Sequence, residues 1–207
     1  MFFIDNEIDF QRTFESIHFF LTVYPKVTVE NESRLLWTLP SDLKLPMVIL
    51  EHFDYLNSWI QELIQGSKYR LIFIAPYYSE TGLEHLYLSL RTLVDTNKEI
   101  WIDWVFGETQ NEENEKAYNF LKYNFKNHKN LRIYFPQQKS YERGLIIHAK
   151  VLLSDSQRGY LGSANFSKNA LLSQFELGVK LTKKQTVSLE RLIDYWIKNQ
   201  ILVQSVL

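Results

Sequence analysis

A histidine and a lysine two residues apart, His148 and Lys150, are followed by Asp155, Gly162, Ser163 and Asn165. The set places a titratable nucleophile and a fixed cation among small hydrogen-bonding groups. An imidazole titrates near neutrality, so it can attack phosphorus while neutral or donate a proton as imidazolium. Lysine and asparagine can stabilise charge on the equatorial oxygens of a phosphoryl transition state. Six defined positions, each matched at roughly one chance in twenty, coincide about once in a million random chains. A lone histidine in an apolar strand is ordinarily a satisfied core residue, and the joint pattern outweighs that reading. Lys150 strengthens it, because an ammonium in so apolar a run is costly to bury unless it meets an anion.

These residues need elements to aim them. Leu145-Ile-Ile-His-Ala-Lys-Val-Leu-Leu153 reads as a strand, bounded by Gly144 and the turn-prone Ser154-Asp-Ser-Gln-Arg-Gly159. Alternation along it predicts His148 and Lys150 on one face. Tyr160 to Ser163 reads as the return strand of a hairpin, with Asp155 in the turn in a structural role. Gly162-Ser163-Ala-Asn165 then forms a loop in which glycine admits a ligand close to the backbone and Ser163 and Asn165 supply donors. Ser167 is placed to cap a short helix, Lys168 to Leu172, whose first N–H groups would also face an anion.

The run His-x-Lys, Asp, Gly-Ser-x-Asn resembles the HKD signature of the phospholipase D superfamily and matches it at every defined position. The resemblance also predicts an acidic residue further on; Glu176 occupies that place, within Ser173-Gln-Phe-Glu-Leu-Gly-Val179. It implies a metal-independent phosphodiesterase without a cofactor, with a phosphohistidine intermediate on His148. Lys150, Ser163 and Asn165 would surround the phosphate, and Glu176 would fix the imidazole tautomer. Gly162 and Asp155 are motif residues of structural role. A second histidine must protonate the leaving group, yet His18, His52, His85 and His128 lack the lysine and the Gly-Ser-x-Asn tail. The resemblance to one-motif members therefore implies a homodimer with His148 of each subunit in one shared site.

Other chemistries find no support. There is no cysteine and no His-x-x-x-His pair, which argues against a structural zinc site, and no Walker-type or Gly-x-Ser-x-Gly run occurs.

With 207 residues, 45% hydrophobic and 15% aromatic, the chain can bury a sizeable core. Phe53, Leu56, Ile60, Leu63 and Ile64 carry helical spacing up to Gly66, and Tyr69 to Ala75 reads as a buried strand. A helix face over Leu83 to Val94, a strand at Ile100 to Phe106, a helix over Asn114 to Phe125 and a strand at Leu131 to Phe135 follow. The last helix carries Leu189, Leu192, Ile193, Trp196 and Ile197 on one stripe, behind a Thr182-x-x-Gln185 capping box. This alternation predicts an α/β fold: a mixed, largely parallel sheet with helices on both faces, the phospholipase D-like sandwich. The catalytic domain is expected over 51–207 with an N-terminal extension at 1–50. That extension is expected to hold a helix at Phe10 to Leu21, a strand at Val27 to Val29, and the segment Leu35 to Pro40. Its Trp37-Thr38-x-Pro40 element resembles superfamily members of bacterial antiphage and restriction systems, so defence-system partner proteins are a further expectation.

No apolar run reaches membrane-spanning length and the N-terminus lacks a signal-peptide pattern, so the expectation is a cytoplasmic protein without a membrane partner. A formal net charge of −1 does not recommend a general nucleic-acid binder. From Gln137 to Lys184, however, eight basic residues stand against three acidic ones, which predicts a positive field at the site suited to a polyanion backbone. Arg158 and Lys168 are the candidate backbone contacts. The leading reading is an endonuclease on DNA or RNA. The alternatives are a phospholipase D or phosphatidyltransferase on lipid phosphodiesters, and an inactive nucleic-acid-binding subunit.

Overall fold

The runs Leu71 to Ala75 and Ile102 to Phe106 are buried at every position, a pattern that suits strands covered on both faces. In the computed structural model, which describes residues 34–107, 111–137 and 146–205, they form the middle of a nine-stranded sheet. Its strands are β1 (Leu35–Thr38), β2 (Phe53–Tyr55), β3 (Arg70–Ala75), β4 (Trp101–Phe106), β5 (Leu131–Pro136), β6 (Lys150–Ser154), β7 (Arg158–Gly162), β8 (Glu176–Leu181) and β9 (Leu202–Gln204). Their order across the sheet is β2-β1-β8-β7-β6-β3-β4-β5-β9. Six helices accompany them among the described residues: α1 (Met47–Leu50), α2 (Leu56–Gly66), α3 (Glu80–Thr96), α4 (Glu112–Phe125), α5 (Lys168–Leu172) and α6 (Lys183–Lys198).

One face of the sheet packs Leu36, Phe73, Trp104 and Tyr160 against α2, α3, α4 and α5. The other packs Ile72, Ile74, Val105, Val151 and Leu153 against Ile193 and the apolar stripe of α6. A buried ion cluster docks that helix. Asp103, fully buried on β4, accepts from Arg70 on β3 and Arg132 on β5, and Arg70 also reaches Glu190 and Asp194 of α6. A carboxylate so placed is tolerable because two guanidinium groups face it. The expected capping box forms as well: Thr182 N–H donates to Gln185 Oε1 at 2.9 Å, and Gln185 N–H to Thr182 Oγ1 at 3.4 Å.

The mixed sheet and the helices on both faces agree with expectation, but the parallel majority does not. Only β1–β2, β3–β4 and β4–β5 are parallel; β1–β8, β3–β6, β5–β9, β6–β7 and β7–β8 are antiparallel. Helical crossovers make parallel neighbours of β3, β4 and β5, whereas the tight hairpin β6–β7 can only be antiparallel.

The boundary expected at residue 50 also moves. Leu35–Thr38 lies inside the sheet between β2 and β8, and the compact unit begins at residue 33. Phe53, assigned to a helix by its spacing, pairs with Leu35 in β2, and α2 starts only at Leu56. The helix expected at Phe10 to Leu21 and the strand at Val27 to Val29 lie outside the described residues.

Candidate active site

The motif strand is shorter than its apolar run. It begins at Lys150, and residues 146–149 form an irregular lead-in. Both neighbours explain this. The β3–β6 register runs out toward Pro76, which has no N–H to donate, and on the other side β7 ends at Gly162, the partner of Lys150. The lead-in is nonetheless anchored: Ile147 is buried in the α6-side core, and its carbonyl lies against Gly107.

His148 is exposed on this lead-in, whereas Lys150 is only 7% exposed. The two side chains lie against each other. The Lys150 ammonium lies 3.1 Å from His148 Nδ1, 3.4 Å from Nε2 and 2.9 Å from the His148 carbonyl. Burial lowers the Lys150 pKa, with the charge of Glu176 acting in the opposite sense. Among the described residues no carboxylate forms an ion pair with it. A buried ammonium without a counter-ion is a place for an anion.

The loop after β7 is held from both sides. Ser163 N–H donates to the Leu177 carbonyl at 2.9 Å, and Leu177 N–H returns a bond to Ser163 Oγ at 3.1 Å. The Ser163 hydroxyl donates to the Glu176 carboxylate. Within the chain Glu176 therefore engages Ser163. Asn165 keeps a buried side-chain oxygen without a hydrogen-bond partner among the described residues. Its amide can turn either end to that position, so a phosphate oxygen could be met by the N–H₂.

Several supports were not legible in the sequence. Tyr160, 1% exposed, lies under the loop and accepts the Ala164 N–H at 3.0 Å. Its ring explains two motif glycines, which face each other across β7 and β8. A Cβ at Gly162 would stand 2.6 Å from the Tyr160 hydroxyl and 2.5 Å from the Leu177 carbonyl, and one at Gly178 would stand 2.4 Å from the Tyr160 ring. Gly162 thus admits a tyrosine and a neighbouring strand, where a ligand had been expected. Asn114 of α4 accepts Tyr78 N–H at 2.8 Å and donates to the Pro76 carbonyl at 2.9 Å, fixing the chain after β3. Thr38 stands opposite Glu176 and Trp37 opposite Leu177, so the Trp-Thr-x-Pro element borders the motif.

Asp155 reaches across to another strand. Its carboxylate accepts the backbone N–H groups of Lys68, Tyr69 and Arg70, each at 2.8 Å, and so ties the hairpin turn to the start of β3.

Residues 60–195 match the family described as "Cardiolipin synthase, PLD-like domain". The chain belongs to the phospholipase D superfamily. NucT from Helicobacter pylori shares the superfamily chain's fold at TM-score 0.56 and 18% identity, over 84% of this chain and 100% of NucT. Nuc from Salmonella typhimurium, a phospholipase D family member, matches at TM-score 0.56 and 16% identity, over 84% of this chain and 99% of Nuc. Phosphatidylserine synthase of Haemophilus influenzae matches at TM-score 0.57 and 15% identity, over 83% of this chain and 39% of the synthase. No curated protein matches the sequence.

Within this superfamily fold the two candidate backbone contacts separate. Arg158 stands four residues before Gly162, roughly 13 Å along β7 from the motif end, and pairs with Glu62 beside Trp59. Lys168 is exposed at the start of α5, beside His85, whose pKa it helps to lower. That helix has only five residues, and its own Ser167 caps it by accepting Ala170 N–H at 3.3 Å. The basic excess is likewise dispersed. Lys180 is bound to Asp54 at 2.8 Å, Lys183 and Lys184 open α6 beyond the far end of β8, and Lys139 and Arg143 lie outside the described residues.

No helix of the described residues is long and apolar enough to cross a membrane.

Proposed function

We propose that this protein is a phosphodiesterase that cleaves DNA or RNA by way of a phosphohistidine on His148, in a site shared by two copies of the chain. The observation that carries the reading is the Lys150 ammonium, buried, with no ion-paired carboxylate among the described residues, and 3.1 Å from His148. A phosphodiester oxygen supplies the missing charge and brings phosphorus within reach of the imidazole.

In the first step a neutral His148 nitrogen forms the N–P bond as the P–O bond to the leaving group breaks. The imidazolium of the partner's His148 gives its proton to the departing oxygen. In the second, that imidazole takes a proton from water, whose oxygen attacks phosphorus and releases His148. Lys150 and Asn165 hold the equatorial oxygens, and the Ser163–Glu176 pair fixes the loop that carries Asn165.

The choice of nucleic acid over lipid is supported by length. The chain matches NucT and Nuc over essentially their whole extent, but only 39% of the phosphatidylserine synthase. The second reading, head-group transfer on lipid phosphodiesters, draws on that same synthase and on the description of the matching family.

The test is cleavage of labelled single-stranded DNA, duplex DNA and RNA in excess EDTA, with His148→Ala prepared identically. Cleavage that the variant lacks is the expected result. If neither protein cleaves and only the wild type turns over phosphatidylglycerol vesicles, the lipid reading replaces it.

A further inference from the structure

Helix α4 changes charge along its length. Its first turn carries Glu112, Glu113 and Glu115, whereas from Lys116 to Arg132 the chain holds five basic residues and no acidic one. Two of the five are neutralised: Lys116 reaches Glu112 at 2.8 Å, and Arg132 reaches Asp103 at 2.6 Å. Lys122, Lys126 and Lys129 form no ion pair with a carboxylate among the described residues. The helix dipole favours a cation in the last turn, a place that Lys122 fills, and it does not account for Lys129 beyond the helix end.

Aromatic and amide side chains stand among these cations. Tyr123 is 75% exposed, with the Lys126 ammonium 5.6 Å from its ring centre, and the Lys122 ammonium lies 5.3 Å from the ring centre of Tyr118. Asn119 and Asn127 are exposed on the same stretch. The surface is also hollowed. Lys122, Lys126 and His128 line a cavity of about 240 Å³ floored by the buried Phe125 and Leu131, and Asn119, Tyr123 and Asn124 line part of a second, of about 290 Å³. Cations without a protein counter-ion, beside an exposed ring, are the groups that hold a nucleic-acid strand: ammonium for phosphate, ring for base.

We propose that the second half of α4 and the turn after it, Lys122 to Lys129, form a nucleic-acid contact remote from the site, which holds the strand outside the segment being cut. The proposal rests on the nucleic-acid reading and extends it to a surface apart from the motif. Asn114 stands at the site end of α4, bonded to the Pro76 and Tyr78 backbone just beyond the β3–β6 pairing. Lys126 lies roughly 18 Å further along the helix axis. His128 sits at the opposite end of the sheet, where its imidazole meets the Ile100 carbonyl at 2.9 Å. The acidic first turn of α4 lies between, so surface and site act as two separate contacts on one strand. At 3.4 Å of axis per phosphate, the gap takes at least about five nucleotides.

The test is fluorescence anisotropy of labelled 30-nucleotide DNA and RNA strands on His148→Ala protein, with and without Lys122→Gln, Lys126→Gln and Lys129→Gln together, each checked by circular dichroism and melting for an intact fold. Losing three phosphate contacts should reduce the slope of log affinity against log salt by about 2, so the affinity lost between 50 and 200 mM salt shrinks roughly 16-fold. Arginine at the three positions should restore the slope. Equal slopes with and without the glutamines, or a parent that binds neither strand, overturn the surface; cleavage by the wild type in EDTA then leaves the nuclease reading standing. Binding that the glutamines weaken, with no cleavage by the wild type, supports the surface and sinks the cleavage reading instead. Lysine-dependent binding to phosphatidylglycerol vesicles but not to either strand makes this a lipid surface and overturns the proposal.

Discussion

The Ser163 hydroxyl donates to the Glu176 carboxylate, joining the loop after β7 to the first residue of β8. The motif's carboxylate therefore orders the loop that presents Asn165, while the neighbour of His148 within its own chain is Lys150. Glu176→Ala removes the acceptor that fixes the loop and is expected to lower kcat for cleavage about 100-fold, the cost of a misplaced Asn165. Ser163→Ala should cost less, because water can take the hydroxyl's place. Steady-state cleavage rates in EDTA decide this; a wild-type rate in Glu176→Ala removes the loop contact from the reaction.

Tyr160 is expected to act as a positioning residue. Tyr160→Phe leaves the buried Ala164 N–H without its acceptor, a loss of about 1–3 kcal/mol. Thermal denaturation should show a lowered Tm, and the looser loop should reduce kcat with little change in KM. Gly178→Ala should be worse, since its Cβ would meet the Tyr160 ring at 2.4 Å. An unchanged kcat in Tyr160→Phe confines the tyrosine to stability.

Asp155 should matter for stability and not for turnover. It has a φ of 54°, a conformation asparagine accepts more readily than alanine, and its carboxylate receives three N–H bonds. Asp155→Ala is expected to cost about 3 kcal/mol in urea unfolding, and Asp155→Asn clearly less. The folded fraction of either variant should cleave at the wild-type rate.

Two histidines away from the motif predict an acid-sensitive fold. Burial holds His85 below its ordinary value of 6.5, with Lys168 adding to the effect. Burial also lowers His128, against a bond to the Ile100 carbonyl that raises it. A base depressed in the folded state binds protons more readily when unfolded, so stability falls as pH drops below 6.5 toward the folded values. Melting temperatures between pH 7.5 and 5 should decline, and a His85→Gln, His128→Gln double variant should flatten the decline. An equally steep slope in that variant assigns the loss to other groups.

Spacing along the chain was enough to bring the motif residues together. His148 and Lys150 stand at the start of β6, Ser163 and Asn165 in the loop after β7, and Glu176 at the start of β8, so a local hairpin and its next strand suffice to gather them. Helix stripes and buried runs likewise marked α2, α3, α4, α6 and the strands β3, β4 and β5, because one face of each must find a core.

Relations between distant segments were decided only by the tertiary structure. Nothing local places Leu35–Thr38 beside β8, nor Asp155 on the N–H groups of residues 68–70, because both depend on strand order across the sheet. The same order scatters charges that look clustered along the chain: Arg158 and Lys180 lie within the motif region in sequence, yet they pair with Glu62 and Asp54 away from it. By itself the sequence determined which side chains could do the chemistry and on which elements they ride. The fold decided their partners, since hydrogen bonds and ion pairs form between atoms close in space, and register between remote strands sets that distance.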